Sequence, residues 1–177
     1  MLARHLLAAA VISTTMSAVT APPAVAAGQG AANRAIPLGT AMCVDVSNYR
    51  GNGVLMYQWQ CDPNNTNQKL VVEDGLIKVE DTIGTSQMMC LDSSNGRTNG
   101  TRVYQWQCLG NANQLWVIQG GQIILKSTLN SANRLCLDAT NGRGNGIQVY
   151  LWQCDPNNTN QKFVVEDGQI AVKDTLS

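Results

Sequence analysis

Six cysteines stand in three pairs, Cys43 and Cys61, Cys90 and Cys108, Cys136 and Cys154, each 18 positions apart, and the pairs recur every 46 to 47 residues. Such a chain is three copies of one unit, each too small to bury its apolar face alone. The likeness extends well past cysteine. Cys43-Val44-Asp45 matches Cys90-Leu91-Asp92 and Cys136-Leu137-Asp138; Tyr57-Gln58-Trp59-Gln60 matches Tyr104-Gln105-Trp106-Gln107 and Tyr150-Leu151-Trp152-Gln153. Between them lie polar loops with Arg50, Arg97 and Arg143 and the steps Asn52-Gly53, Asn99-Gly100 and Asn145-Gly146. Each copy continues with Asn67-Gln68, Asn113-Gln114 or Asn160-Gln161 and closes on Gly75-Leu76-Ile77, Gly121-Gln122-Ile123 or Gly168-Gln169-Ile170.

No stretch after the leader carries a 3.6-residue apolar period. Short β-branched runs, such as Leu70-Val71-Val72 and Phe163-Val164-Val165, alternate with Gly, Asn and Asp turns. That spacing predicts an all-β chain. Three such units sharing one core predict a β-trefoil with pseudo-threefold symmetry and a disulfide in each repeat. The repeats are expected at about 36–82, 83–128 and 129–177. The first copy lacks an opening strand, whereas the strand at Gln169 to Lys173 has no unit after it. The two ends are therefore expected to meet, with a cut from a longer tandem array as the alternative.

Residues 1–26 read as a secretory signal, with cationic Arg4, an apolar stretch Leu6 to Ile12, and small residues at Ala24, Val25 and Ala26; 27–35 read as a linker. The serines, threonines and Pro22-Pro23 break the apolar run short of the ~20 residues a membrane span needs. The expectation is an extracellular protein with no membrane insertion. Twelve acids against eleven Lys and Arg beyond Arg4 leave no basic stripe for nucleic acid. An even cysteine count in an exported chain argues for disulfides. Pairing within each unit (Cys43–Cys61, Cys90–Cys108, Cys136–Cys154) treats all copies alike and closes short loops. No metal and no cofactor are expected, since Cys-x-x-Cys is absent and the sole histidine, His5, lies in the leader.

Side chains alternate faces along a strand, so Cys43 shares a face with Asp45, and Tyr57 and Trp59 share a face with Cys61. If the disulfide joins directly opposed positions, Asp45 faces Trp59 across the pair. A carboxylate beside an aromatic face suits a pyranose, whose hydroxyls donate to the acid while its C–H face rests on the ring. Asn67 and Gln68 would add amide donors and acceptors. Trp116, Phe163 and Leu70, each following Gln-x, are expected to fill the core instead.

On these residues the chain, over about 36 to 177, resembles the ricin-B-type lectins, which include carbohydrate-binding modules of secreted glycosidases. The resemblance rests on Cys-x-Asp, an aromatic two before the second cysteine, and Asn-Gln-x-(Trp/Phe/Leu), all in triplicate. It implies sugar contacts from the Asp, the aromatic and the Asn, with the Gln steadying the Asp. The implied sites are Asp45, Trp59, Asn67 and Gln68; Asp92, Trp106, Asn113 and Gln114; and Asp138, Trp152, Asn160 and Gln161, beside which Tyr57, Tyr104 and Tyr150 are candidate contacts read from the repeat itself. Tyr57, Tyr104 and Tyr150 stand where family members often carry Gln or Asn, and are similar to mannose-binding three-repeat trefoil lectins. Galactose-, xylose- and mannose-type glycans are the implied mono- or oligosaccharide partners.

Without histidine beyond the leader, Ser-His-Asp and Cys-His chemistry is excluded there. One Asp per repeat is not the carboxylate pair of a glycosidase. Glu73-Asp74 and Glu166-Asp167 read as solvated hairpins. The expectation is a non-catalytic lectin; alternatives are a protease-inhibitor-like, protein-directed trefoil or the targeting subunit of a separately encoded toxin or glycosidase. Arg50, Arg97 and Arg143 read either as contacts to an acidic or extended glycan or as solvated loop charges.

Overall fold

The computed structural model describes residues 39–176. The leader at 1–26 and the linker at 27–35 lie outside the described residues. The first copy forms β1 (Met42–Asp45), β2 (Val54–Leu55), β3 (Tyr57–Gln60), β4 (Leu70–Glu73) and β5 (Leu76–Val79). The second repeats them as β6 (Met89–Asp92), β7 (Thr101–Arg102), β8 (Tyr104–Gln107), β9 (Trp116–Gln119) and β10 (Gln122–Leu125). The third gives β11 (Leu135–Asp138), β12 (Ile147–Gln148), β13 (Tyr150–Gln153), β14 (Phe163–Glu166) and β15 (Gln169–Val172). Helical structure among the described residues is confined to single 3-10 turns, such as Thr66–Gln68 and Thr159–Gln161.

Three five-stranded sheets result, ordered β12-β3-β1-β15-β14, β2-β8-β6-β5-β4 and β7-β13-β11-β10-β9. Each sheet takes strands from two copies, so the copies interlock and none is a free-standing module. The expected meeting of the ends is seen directly, for β15 pairs with β1 through Ala171 and Cys43. This is a β-trefoil.

Hairpins β4–β5, β9–β10 and β14–β15 turn through Asp74-Gly75, Gly120-Gly121 and Asp167-Gly168, with φ of 54 and 79°, 59 and 78°, and 50 and 75°. Two consecutive positive φ angles define the turn whose twist matches the flanking strands, and they favour Gly and Asp. The turn glycine carbonyls then accept from the next copy's strand: Gly75 from Trp116 N, Gly121 from Phe163 N and Gly168 from Leu70 N, at 2.7 to 2.8 Å. Leu70, Trp116 and Phe163 are therefore drawn into the shared core, as expected, and all three are buried with Ile77, Ile123 and Ile170. The Trp116 indole N–H satisfies itself on the Leu91 carbonyl at 3.1 Å.

Candidate site: three interlocked clefts

The three disulfides close within the copies, Cys43–Cys61, Cys90–Cys108 and Cys136–Cys154. Their register differs from the expected one. Cys43 pairs directly with Trp59, and Asp45 with Tyr57; the same holds for Cys90 with Trp106, Asp92 with Tyr104, Cys136 with Trp152 and Asp138 with Tyr150. The bridge is thus diagonal, since the Cys61 N–H bonds the Ala41 carbonyl and lies two positions past Trp59. A slip of two residues keeps every side chain on its face, whereas a slip of one would invert it. Asp, Tyr and Trp consequently still share one face, with Tyr rather than Trp opposite the acid.

Asp45, Asp92 and Asp138 are 5% exposed. Each Oδ1 accepts the backbone N–H two residues on, from Ser47 at 2.8 Å, Ser94 at 2.6 Å and Thr140 at 2.7 Å. This side-chain turn holds Ser47, Ser94 and Thr140 at φ of 64, 52 and 61°, uncommon for residues other than glycine. Asp45 Oδ2 further accepts Asn65 Nδ2 at 3.1 Å and Gln68 Nε2 at 3.2 Å; Asp138 Oδ2 accepts Asn158 Nδ2 at 3.2 Å and Gln161 Nε2 at 3.0 Å.

Buried Gln68 also donates to the Gln60 carbonyl and accepts from Asp62 N at 2.9 Å and from Gln169 Nε2 at 3.0 Å. Gln161 does the same with Gln153, Asp155 and Gln122. The second copy departs from this plan. Its loop from Cys108 to Gln114 is one residue shorter, and Leu76 stands where Gln122 and Gln169 stand in the other hairpins. Gln114 keeps the bond to its own Gln107 carbonyl at 2.8 Å but accepts two backbone N–H groups, Leu109 and Gly110, at 2.7 and 3.1 Å, in place of a glutamine brace.

Half-buried Asn67, Asn113 and Asn160 each accept from an arginine Nη2 on Oδ1, from Arg50 at 2.9 Å, Arg97 at 2.5 Å and Arg143 at 2.7 Å. A guanidinium only donates, so this contact fixes the amide orientation and turns Nδ2 toward Asn48, Asn95 or Asn141. The arginines are thus not loosely solvated. They also hold loop carbonyls, Ser47, Ser94 and Thr140. Arg50 and Arg143 fork onto Asp81 and Asp174. The hydrogen bond from Arg143 holds the Asp174 carboxyl below its usual range, with partial burial opposing.

Across each copy boundary the Asn-Gly turn docks beside the next Trp strand. Asn145, Asn52 and Asn99 accept the Gln60, Gln107 and Gln153 N–H groups at 2.7, 2.7 and 2.6 Å. A Cβ on Gly146, Gly53 or Gly100 would lie 3.6, 3.6 or 3.9 Å from the ring edge of Trp59, Trp106 or Trp152. These glycines have φ of 79 to 81°, where other residues are strained.

Three open clefts result. The first, about 330 Å³, is lined by Asp45, Ser47, Asn48, Tyr57, Trp59, Asn65, Asn67 and by Gly146 of the third copy. The second, about 520 Å³, brings together Asp92, Asn95, Tyr104, Trp106, Asn111 and Asn113; the third, about 240 Å³, Asp138, Asn141, Trp152, Asn158 and Asn160. The tryptophans are 44, 39 and 46% exposed despite their size. Tyr150 is the exception: its hydroxyl donates to Gln148 at 2.6 Å and the ring does not line the third cleft. Gln68, Gln114 and Gln161 are fully buried behind the acids and reach no cleft surface.

Asn65, Asn111 and Asn158, and the turn residues Ser47, Ser94 and Thr140, were not foreseen as site residues. Their signal was present, as Asn-x-Asn-Gln and Asp-x-(Ser/Thr) recur in every copy. Gln58 and Gln105 also escaped notice. Each is buried and clips a neighbouring copy, Gln58 through the Ala139 and Gly142 carbonyls and Gln105 through Val46 and Tyr49; Leu151 in the third copy hides the pattern.

Fold and clefts together define a β-trefoil with three repeat-related, aromatic-edged polar clefts. The model of the ricin-type beta-trefoil lectin domain matches residues 34–169, and the chain belongs to that family of carbohydrate-binding modules. No curated protein sequence matches the chain. Among solved structures, a designed threefold-symmetric protein, ThreeFoil, is similar at 19% identity, covering 70% of this chain and 96% of that one, with a TM-score of 0.50. The agglutinin from Abrus precatorius matches at 20% identity and a TM-score of 0.49, over 73% of this chain and 62% of the agglutinin. Among the described residues, no helix is long and apolar enough to cross a membrane.

Proposed function

We propose that this protein is a secreted, non-catalytic lectin with up to three weak saccharide sites, one in each cleft, acting multivalently. The observation that carries the reading is the threefold juxtaposition of a buried carboxylate, held by the backbone N–H two residues on, with a tryptophan left 39 to 46% exposed. An exposed indole is costly in water, and a sugar's C–H face would cover it. Asp45, Asp92 and Asp138 offer acceptors to sugar hydroxyls, while Asn67, Asn113 and Asn160 offer an Nδ2 donor whose direction the arginines set. A few such bonds at about 1 kcal/mol each give affinities near the millimolar range, which linkage through three sites would raise about a hundredfold or more.

The binding-only reading is supported by the single carboxylate lining each cleft, where glycoside hydrolysis uses two. Secretion is supported by the leader sequence and by three disulfides. Galactose-, xylose- and mannose-type glycans remain the candidate ligands. A glycan array on the chain from residue 27 selects the sugar, and titration followed by indole N–H resonances then counts sites. Trp59→Ala, Trp106→Ala and Trp152→Ala are each expected to remove one site without loss of fold. A triple variant that binds with wild-type stoichiometry defeats the assignment.

A further inference from the structure

The copies differ where the arginine behind each cleft meets its counter-charge. Arg50 forks onto Asp81, Nε to Oδ1 at 2.9 Å and Nη2 to Oδ2 at 2.8 Å; Arg143 forks onto Asp174 at 3.0 and 2.8 Å. The aligned residue of the second copy is Ser127. Among the described residues Arg97 has no carboxylate partner. Its Nη1 serves the Ser94 and Gly96 carbonyls and its Nη2 serves Asn113, which leaves the Nε edge without an acid. Arg97 is half-buried, and exposed Lys126 precedes Ser127 where the first copy has Glu80. Counting Arg97, Lys126 and Asp92 gives the second surround a formal charge of +1; Arg50, Glu80, Asp81 and Asp45 give −2, and Arg143, Lys173, Asp174 and Asp138 give zero.

We propose that the second cleft takes an acidic oligosaccharide: one sugar lies in the cleft, and the next carries a uronate carboxylate that docks on the Nε–Nη2 edge of Arg97. The inference rests on the saccharide reading above. Asp81 and Asp174 occupy the same seat in the other copies, so the protein itself demonstrates that a planar carboxylate fits it. The two seats adjoin, because Asn113 both lines the cleft and bonds Arg97. Asp92 repels an anion from the cleft proper, which places the acid on the neighbouring sugar.

The probes are trigalacturonate, trimannuronate and glucuronoxylotriose, each beside its uncharged methyl ester, with 6-sulfated galactotriose as the second anion. Binding is read at low salt from the indole N–H resonances of the full chain from residue 27. The Trp106 site is expected to prefer at least one acid over its ester by about tenfold, a preference that fades with salt. Ser127→Asp should erase that preference and leave the ester's affinity unchanged, since the other copies carry Asp at this position and fold. Asp174→Ser should confer the preference on the Trp152 site. Equal binding of acid and ester at the Trp106 site, or a preference that survives Ser127→Asp, overturns this inference while array binding of neutral sugars leaves the lectin reading standing. Equal gain from the sulfate ester overturns the carboxylate assignment, and binding of no saccharide by any site removes both proposals.

Discussion

Gln68→Leu tests the buried scaffold behind the first cleft. Gln68 is fully buried and its carboxamide is saturated: two N–H groups reach Asp45 and the Gln60 carbonyl, and Oε1 receives Asp62 N and Gln169 Nε2. Leucine fills nearly the same space, so the cost comes from the partners rather than a cavity. Asp45 keeps Asn65, and Gln169 keeps the Asp62 carbonyl at 3.1 Å. The Gln60 carbonyl and the Asp62 N–H lose their bonds, at roughly 1 to 3 kcal/mol each, less where water enters. The expected loss is about 2 to 4 kcal/mol, or roughly 10 °C in Tm for a domain of this size. Urea unfolding followed by tryptophan fluorescence measures it, with Gln169→Leu as the companion. That variant reproduces the leucine that the first hairpin carries at residue 76 and should lose about 1 kcal/mol or less. A Gln68→Leu loss under about 1 kcal/mol, or a companion equally damaging, would refute the accounting.

Replacing either cysteine pair by alanine, Cys43/Cys61 or Cys136/Cys154, should cost about 3 kcal/mol, because the loops are of equal length and the chain-entropy term is the same; urea midpoints that differ widely between the pairs contradict this. The Arg143–Asp174 pair should be acid-sensitive. A carboxyl depressed by its arginine stabilises fully above its ordinary value near 3.8 and loses that contribution as pH falls through the lowered one. The stability gap between wild type and Asp174→Asn, under about 1 kcal/mol for so exposed a pair, should therefore narrow as pH falls below the ordinary carboxylate value; a gap that widens on acidification refutes the linkage.

The all-β trefoil was legible because its determinants are periodic: cysteine pairs, β-branched runs and turn residues recur in step. The core positions Leu70, Trp116 and Phe163 followed from the same alignment. The face shared by Asp45, Tyr57 and Trp59 was legible too, since it depends only on parity along a strand. The register was not. A disulfide can join opposed or diagonal neighbours, both on one face, and only backbone geometry chooses between them. The solvated reading failed for Arg50 and Arg143 because their partners are remote: Asp81 and Asp174 lie 31 residues away. Three tyrosines at equivalent positions predicted three equivalent roles, yet Gln148, present in one copy only, draws off the Tyr150 hydroxyl.

Reading the copies as separate binding units misses how each cleft is made. The Asn-Gly turn beside Trp106 belongs to the first copy, that beside Trp152 to the second, and that beside Trp59 to the third. The glutamine that braces Gln161 comes from the second copy, and the one that braces Gln68 from the third. Every cleft is thus completed by the copy before it in a closed cycle. A substitution at Gln122 or Gln169 then acts on a neighbour's acid through one buried carboxamide, without touching the shared core. Such an arrangement lets three clefts on one scaffold diverge singly, and the second, lacking both the glutamine brace and the acid partner of its arginine, is the one that has diverged furthest.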